Sequence, residues 1–130
     1  MKRLIYQVYT GKRSELYDHC TQSVKEYADR IGAHYLIQRE PILCIAPDIF
    51  TTNRSRESYE KYGGFLPIYE KENAFAYLDS YDQIAIIDAD IFIRPDCDEC
   101  VFSASGTDCD FAGVIERTMA ITPEYQAKIH

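Results

Sequence analysis

One stretch limits what this chain can fold into more than any other: Gln83-Ile84-Ala85-Ile86-Ile87-Asp88-Ala89-Asp90-Ile91-Phe92-Ile93. A β-branched, apolar run that reads as a buried strand ends in two carboxylates separated by one small residue, and apolar residues then resume. Burying an unpaired carboxylate costs on the order of several kcal/mol, so two of them at the edge of the most hydrophobic strand require a partner. A divalent cation with oxygen ligands is the natural one, and a phosphate group is the natural companion of that cation. Two acids in an edge turn are the plain structural alternative.

Composition narrows the classes. With 130 residues and 46% hydrophobic content, the expectation is a single globular domain spanning 1–130 with a real core. The net charge of -7 argues against a nucleic-acid partner or a membrane-surface binder, either of which asks for a basic face. Residues 1–65 carry ten Lys/Arg against eight Asp/Glu, whereas residues 66–130 carry four against thirteen. The acid is thus gathered around and after Asp88 and Asp90, as a cation site would have it, although solvated acidic faces account for many of these residues. Five cysteines, an opening Met1-Lys2-Arg3 that leads directly into a strand-like run and the lack of any long apolar span give the expectation of reduced thiols in a cytoplasmic protein.

In chain order, Leu4 to Tyr9 reads as a first strand. Thr10-Gly11-Lys12-Arg13 breaks it, and Ser14 is a good helix N-cap. Leu16, Tyr17, Cys20, Val24, Tyr27, Ala28 and Ile31 then recur at helical spacing up to Gly32. Ala33 to Gln38 forms a second strand. Residues 41–67 are the least periodic part, with a short helix conceivable near 56–62. A helical pattern returns over 69–81, with Ala74, Tyr77, Leu78 and Tyr81 on one face, and leads into the central strand that carries the two acids. Ile91 to Ile93 reads as that strand continuing, Pro95 opens a short helix-like segment over 96–102, Phe111 to Ile115 is another strand, and Thr122-Pro123 starts a last helix. Alternating helices and strands imply an α/β layered fold with a largely parallel sheet.

The segment Tyr77 to Ile93, with its Asp88-Ala89-Asp90, resembles the helix, strand and Asp-x-Asp motif of GT-A-fold, nucleotide-sugar-dependent glycosyltransferases of the glycogenin-like and galactosyltransferase-like kind. Pro95 to Phe102 is similar to the segment that often follows the motif there, and the first strand with Thr10-Gly11 and Tyr17 is similar to their nucleotide-contacting start. The resemblance is close over 77–102 and loose elsewhere. It implies a Rossmann-like GT-A sheet and a nucleoside diphosphate sugar as donor. Asp90 would coordinate Mn²⁺ or Mg²⁺, and Asp88 would meet the metal and the ribose, with Ala89 between them against the substrate. The main chain at Tyr9, Thr10 and Gly11 would lie against the base with Tyr17 near it, and Lys71 would be the basic residue facing the diphosphate or the sugar. The acceptor, whether glycan, lipid or protein, is not implied.

Such enzymes commonly continue well past the motif, where a further histidine ligand and the acceptor site lie, whereas this sequence stops forty residues after Asp90. The expectation is therefore a donor-binding N-terminal part of a longer enzyme, and the exposed edge of a truncated sheet is a candidate for burial in a homodimer. Two rivals stay open. A phosphohydrolase would use Asp88 as nucleophile and Asp90 as acid/base, but it usually places such a pair after the first strand, followed by a turn rather than by more strand. A non-catalytic nucleotide-binding or assembly module would keep the cleft without the transfer. Cys97-Asp98-Glu99-Cys100 with Cys109 lacks the second ligand pair of a structural zinc site. Lys12-Arg13 lacks the glycine spacing of a phosphate loop.

Overall fold

The computed structural model describes residues 1–42, 70–106 and 108–113. Three parallel strands form its sheet: β1 (Arg3–Val8), β2 (His34–Gln38) and β3 (Gln83–Ile86), in the order β2-β1-β3. β1 pairs with β2 from Leu4–His34 to Val8–Gln38, and with β3 from Arg3–Gln83 to Tyr6–Ile86. The chain leaves β1 through helix α1 (Glu15–Ile31) to reach β2, and comes back on the other side of β1 as β3. This is an α/β arrangement.

β1 has helices on both faces, which is why it reads as a continuous apolar run rather than an alternating one. Successive side chains point to opposite faces. Ile5 packs with Val24, Tyr27 and Ala28 of α1 and with Phe102, backed by Ala85 and Ile87. Leu4, Tyr6 and Val8 face the other way, onto Ala74 with Tyr77 and Ile84 beside it. Ile5 is wholly buried, which contributes roughly 1.5–3 kcal/mol relative to leaving it exposed. The acid-bearing strand was expected at the centre; among the described strands β3 is at the edge, only half-buried, and β1 is central.

Helix α1 follows its sequence signals closely at the end and less so at the start. Glu15 and Asp18 in the first turn and Arg30 in the last suit the helix dipole. Gly32 adopts the left-handed conformation (φ 72°), Ala33 N–H returns to the Ala28 carbonyl at 2.9 Å and Gly32 N–H to that of Asp29 at 3.3 Å, a Schellman closure. Ser14 sits at the N-cap but its side chain makes no capping bond. Its N–H donates instead to the Tyr9 hydroxyl (2.7 Å), which in turn donates to Asp18 Oδ1 (2.9 Å) and so ties the helix start to the end of β1. Leu16 and Tyr17 fit the apolar spacing but lie outside the core, exposed on the first turn.

Three further expectations change. The helix over 69–81 is a 3-10 helix, Lys71–Tyr77. Three residues per turn bring Ala74 and Tyr77 onto one face. Leu78, which α-helical spacing would bury beside Ala74, is left 58% exposed. Ile91 to Ile93 does not continue the strand: Ile91 N–H folds back onto the Asp88 carbonyl at 3.2 Å, so the chain turns at Ala89-Asp90, and Ile91 and Phe92 are exposed. Pro95 opens a turn, closed by Cys97 N–H to the Arg94 carbonyl at 3.0 Å, and the helix of this region is α2 (Val101–Ser105), which buries Phe102. Phe111 to Gly113 are exposed and not in a strand. The remainder of that expected strand, the helices expected near 56–62 and after 122, and most of the irregular 41–67 lie outside the described residues.

Cys20, Cys97, Cys100 and Cys109 are free thiols. No helix among the described residues is long and apolar enough to cross a membrane.

The half-buried Tyr35 on β2 gives a pH prediction. Burial pushes its hydroxyl up to about 12 from the ordinary 10, so the folded chain favours the neutral phenol. Because the folded value is the higher one, this contribution is intact below pH 10 and drains away between pH 10 and about 12. Urea unfolding from pH 9 to 12 should show an alkaline loss of stability that is smaller in Tyr35→Phe; equal losses in both proteins would refute the assignment.

Candidate functional site

In open parallel α/β sheets, ligands bind outside the carboxyl ends of the strands, at the point where the chain's connections go to opposite sides. Here that point lies between β1 and β3. A cleft of about 180 Å³ opens there. The end of β1 supplies Val8, Tyr9 and Thr10, and the turn after β3 supplies Asp88, Ala89 and Asp90. Tyr17 enters from the first turn of α1 and Lys71 from the start of the 3-10 helix.

Seven of the eight positions singled out from the sequence therefore meet in one cleft, from four separate elements. Gly11 does not line it. Its φ of 86° and its missing Cβ instead let the chain turn sharply from β1 toward α1. Tyr9 and Tyr17 form an edge-to-face pair with ring centroids 5.5 Å apart. Both acids are exposed, and the Lys71 ammonium is ion-paired to Asp88 Oδ1. Lys71 is the more covered partner, at 28% side-chain exposure against 56% for Asp88, so the ammonium lies down along the cleft wall while the carboxylate stays open to a ligand.

The donor set suits a hard divalent cation. Mg²⁺ is usually held by one or two carboxylates, with phosphate oxygens and water completing its shell. Asp88 already carries a cation, Lys71, and Asp90 is ion-paired with nothing among the described residues. No three His, Cys, Asp or Glu side chains come together as a metal-binding group among those residues, so the described residues offer a metal here the Asp pair. Cys97 and Cys100 are half-buried against the α1 core and Cys109 is exposed, with no assembled zinc site among them.

Three residues at the site carry no motif signal. Val8 lines the cleft. Arg39, just past β2, donates to the Tyr9 carbonyl and stacks its guanidinium 3.8 Å from the Tyr9 ring centroid, which holds that ring in place. Gln7 donates from Nε2 to the Asp88 carbonyl at 3.1 Å. The signal for Gln7 was available: an amide in the middle of an apolar strand. A second hollow, of about 200 Å³, shares Tyr9 with the cleft and is walled by Arg13, Asp18, Tyr35 and Arg39.

No protein-family model, curated protein or solved structure matches this chain.

Proposed function

We propose that the cleft binds a nucleoside diphosphate sugar, with Asp88 and Asp90 holding Mn²⁺ or Mg²⁺ against the diphosphate, and that the chain is the donor-binding unit of a GT-A-type glycosyltransferase. The observation carrying this reading is the meeting of Tyr9, Thr10, Tyr17, Lys71, Asp88, Ala89 and Asp90 at the switch point of a parallel sheet.

Each residue has a task that its chemistry allows. Departure of a sugar leaves negative charge on the diphosphate, and a bound divalent cation supplies Lewis-acid neutralisation of that charge. Asp88 and Asp90, at the mouth of the sheet, provide oxygen ligands on a turn anchored to β1. The Lys71 ammonium adds a positive charge on the same wall, within reach of a phosphate oxygen once a cation takes over Asp88. The exposed Tyr17 ring, held edge-on against the buried Tyr9, presents aromatic surface to a base, and the turn at Gly11 lets the backbone pass close to it.

The direct test is calorimetry of the 130-residue chain with uridine and guanosine diphosphate, with and without Mn²⁺. Weak binding of one of them, strengthened roughly tenfold or more by the metal, is expected from the charge the cation neutralises. Absence of nucleotide binding under both conditions would sink the reading. The turn at Asp88–Ile91 removes one sequence argument against a phosphohydrolase. That alternative predicts phosphate release from a generic ester, silenced by Asp88→Asn.

A further inference from the structure

Gln7 is wholly buried in the central strand, between Tyr6 and Val8. A buried amide is costly unless all its groups are bonded, so the fold alone would favour an apolar side chain here. Gln7 instead bridges the sheet. Its Oε1 accepts from the Tyr35 hydroxyl of β2 at 2.8 Å, and its Nε2 donates to the Asp88 carbonyl beyond β3 at 3.1 Å.

The bond to Asp88 falls where the ladder runs out. Ile87 N–H donates to the Tyr6 carbonyl at 3.1 Å, the last described main-chain bond between β1 and the chain leaving β3. One residue later the Gln7 amide takes the place of a ladder donor. The Asp88 carbonyl then accepts twice, from Gln7 and from Ile91 N–H at 3.2 Å, and two bonds fill its lone pairs. The amide has one self-consistent orientation. With Tyr35 donating to Oε1, the NH₂ end faces Asp88; flipped, two carbonyl oxygens would face each other.

We propose that Gln7 is a positioning residue of the cleft: its amide, oriented by the Tyr35 hydroxyl, fixes the main chain at Asp88 so that the Asp88 and Asp90 carboxylates are presented together to a divalent cation. The cation rests on the reading given under Proposed function; the anchoring of the turn does not.

Gln7→Met keeps the volume and removes both bonds, while Tyr35→Phe removes one oxygen and frees the amide to rotate. Three quantities separate the outcomes in the full 130-residue chain: amide hydrogen exchange of Ile91 without ligand, Mn²⁺ affinity from the resonance signal of the free ion, and diphosphate affinity without metal. Residues that orient metal ligands typically change metal affinity by about 10–100-fold. Gln7→Met is therefore expected to weaken Mn²⁺ about tenfold and to speed Ile91 exchange, leaving exchange at Ile5 and metal-free diphosphate binding within about twofold; Tyr35→Phe does the same to a smaller extent. Wild-type exchange at Ile91 in both variants overturns the proposal. So does a parallel loss of metal-free and metal-dependent binding, which marks packing alone. Should Gln7→Met not fold, unchanged exchange and Mn²⁺ affinity in Tyr35→Phe overturn it. A wild-type chain that binds no Mn²⁺ removes the cation reading, and the Ile91 exchange still decides whether Gln7 anchors the turn.

Discussion

Asp90→Ala is expected to abolish the strengthening of diphosphate binding by Mn²⁺, while Lys71→Met should move the two affinities in opposite directions. Asp90 is exposed and ion-paired with nothing among the described residues, so its removal leaves no buried group stranded and should not disturb the fold. Losing one of two carboxylate ligands should cost more than disturbing a residue behind a ligand, hence about 100-fold or more in metal affinity. Lys71 differs because it is both a competitor and a helper. Its ammonium occupies Asp88, and a cation binding there must displace it. Exposed ion pairs are worth roughly 0.2–1 kcal/mol, so freeing Asp88 should tighten Mn²⁺ alone by about 1.4–5-fold. The same substitution removes a positive charge that the diphosphate would meet, so nucleotide binding should weaken. Calorimetric titrations of Mn²⁺ alone and of diphosphate at saturating Mn²⁺ measure both. Affinities that fall together in Lys71→Met would remove the competition, and retained metal dependence in Asp90→Ala would remove Asp90 from the shell.

The parts of the fold legible in the sequence are those where local chemistry and packing agree. β1, α1 and β2 lie within a residue or so of their signals because Gly32 needs the left-handed conformation and the stripe from Cys20 to Ile31 has sheet to cover it. Among the positions that meet in the cleft, Tyr9, Thr10, Asp88 and Asp90 stand where a strand gives way from apolar to polar, whereas Tyr17 and Lys71 lie on helices and only the family resemblance points to them. What was not legible depended on partners far along the chain. A 3-10 helix and an α-helix share the spacing of Ala74 and Tyr77, and only the exposure of Leu78 tells them apart. The turn after Asp88 lies inside an apolar run, and no hydrophobic pattern shows its closing bond, Ile91 to Asp88, or that Gln7, legible only as an amide in an apolar strand, reaches the Asp88 carbonyl. That β1 rather than β3 is central follows from strand order, to which no local signal refers.

The largest stability effect is expected at Glu70, directly before Lys71 and wholly buried. Its carboxylate accepts from Gln38 Nε2 at 2.8 Å, from Asn73 Nδ2 at 2.6 Å and from Ile42 N–H at 3.1 Å, tying the end of β2, the segment after it and the 3-10 helix together. One oxygen serves all three, since Oε2 lies within bonding distance of Gln38 Nε2, Asn73 Nδ2 and Ile42 N–H. Glu70→Ala leaves the donors only partly served: Gln38 Nε2 keeps the Glu40 carbonyl at 3.0 Å, Asn73 Nδ2 keeps Gln38 Oε1 at 3.1 Å, and the exposed Ile42 can turn to water. With a loss of about 1–3 kcal/mol for each group left wanting, and those substitutes in place, the net cost should be roughly 2–4 kcal/mol. Glu70→Gln can set its amide oxygen in the place of Oε2 and so keep an acceptor for all three, and it should recover more than half of that loss. Urea unfolding at constant slope measures both variants. If Glu70→Gln fell as far as Glu70→Ala, an acceptor at the place of Oε2 would not be what holds these donors. Lys71 follows Glu70 in the chain, so Glu70→Ala should also loosen the pairing of Lys71 with Asp88 and carry a fault in the core into the cleft.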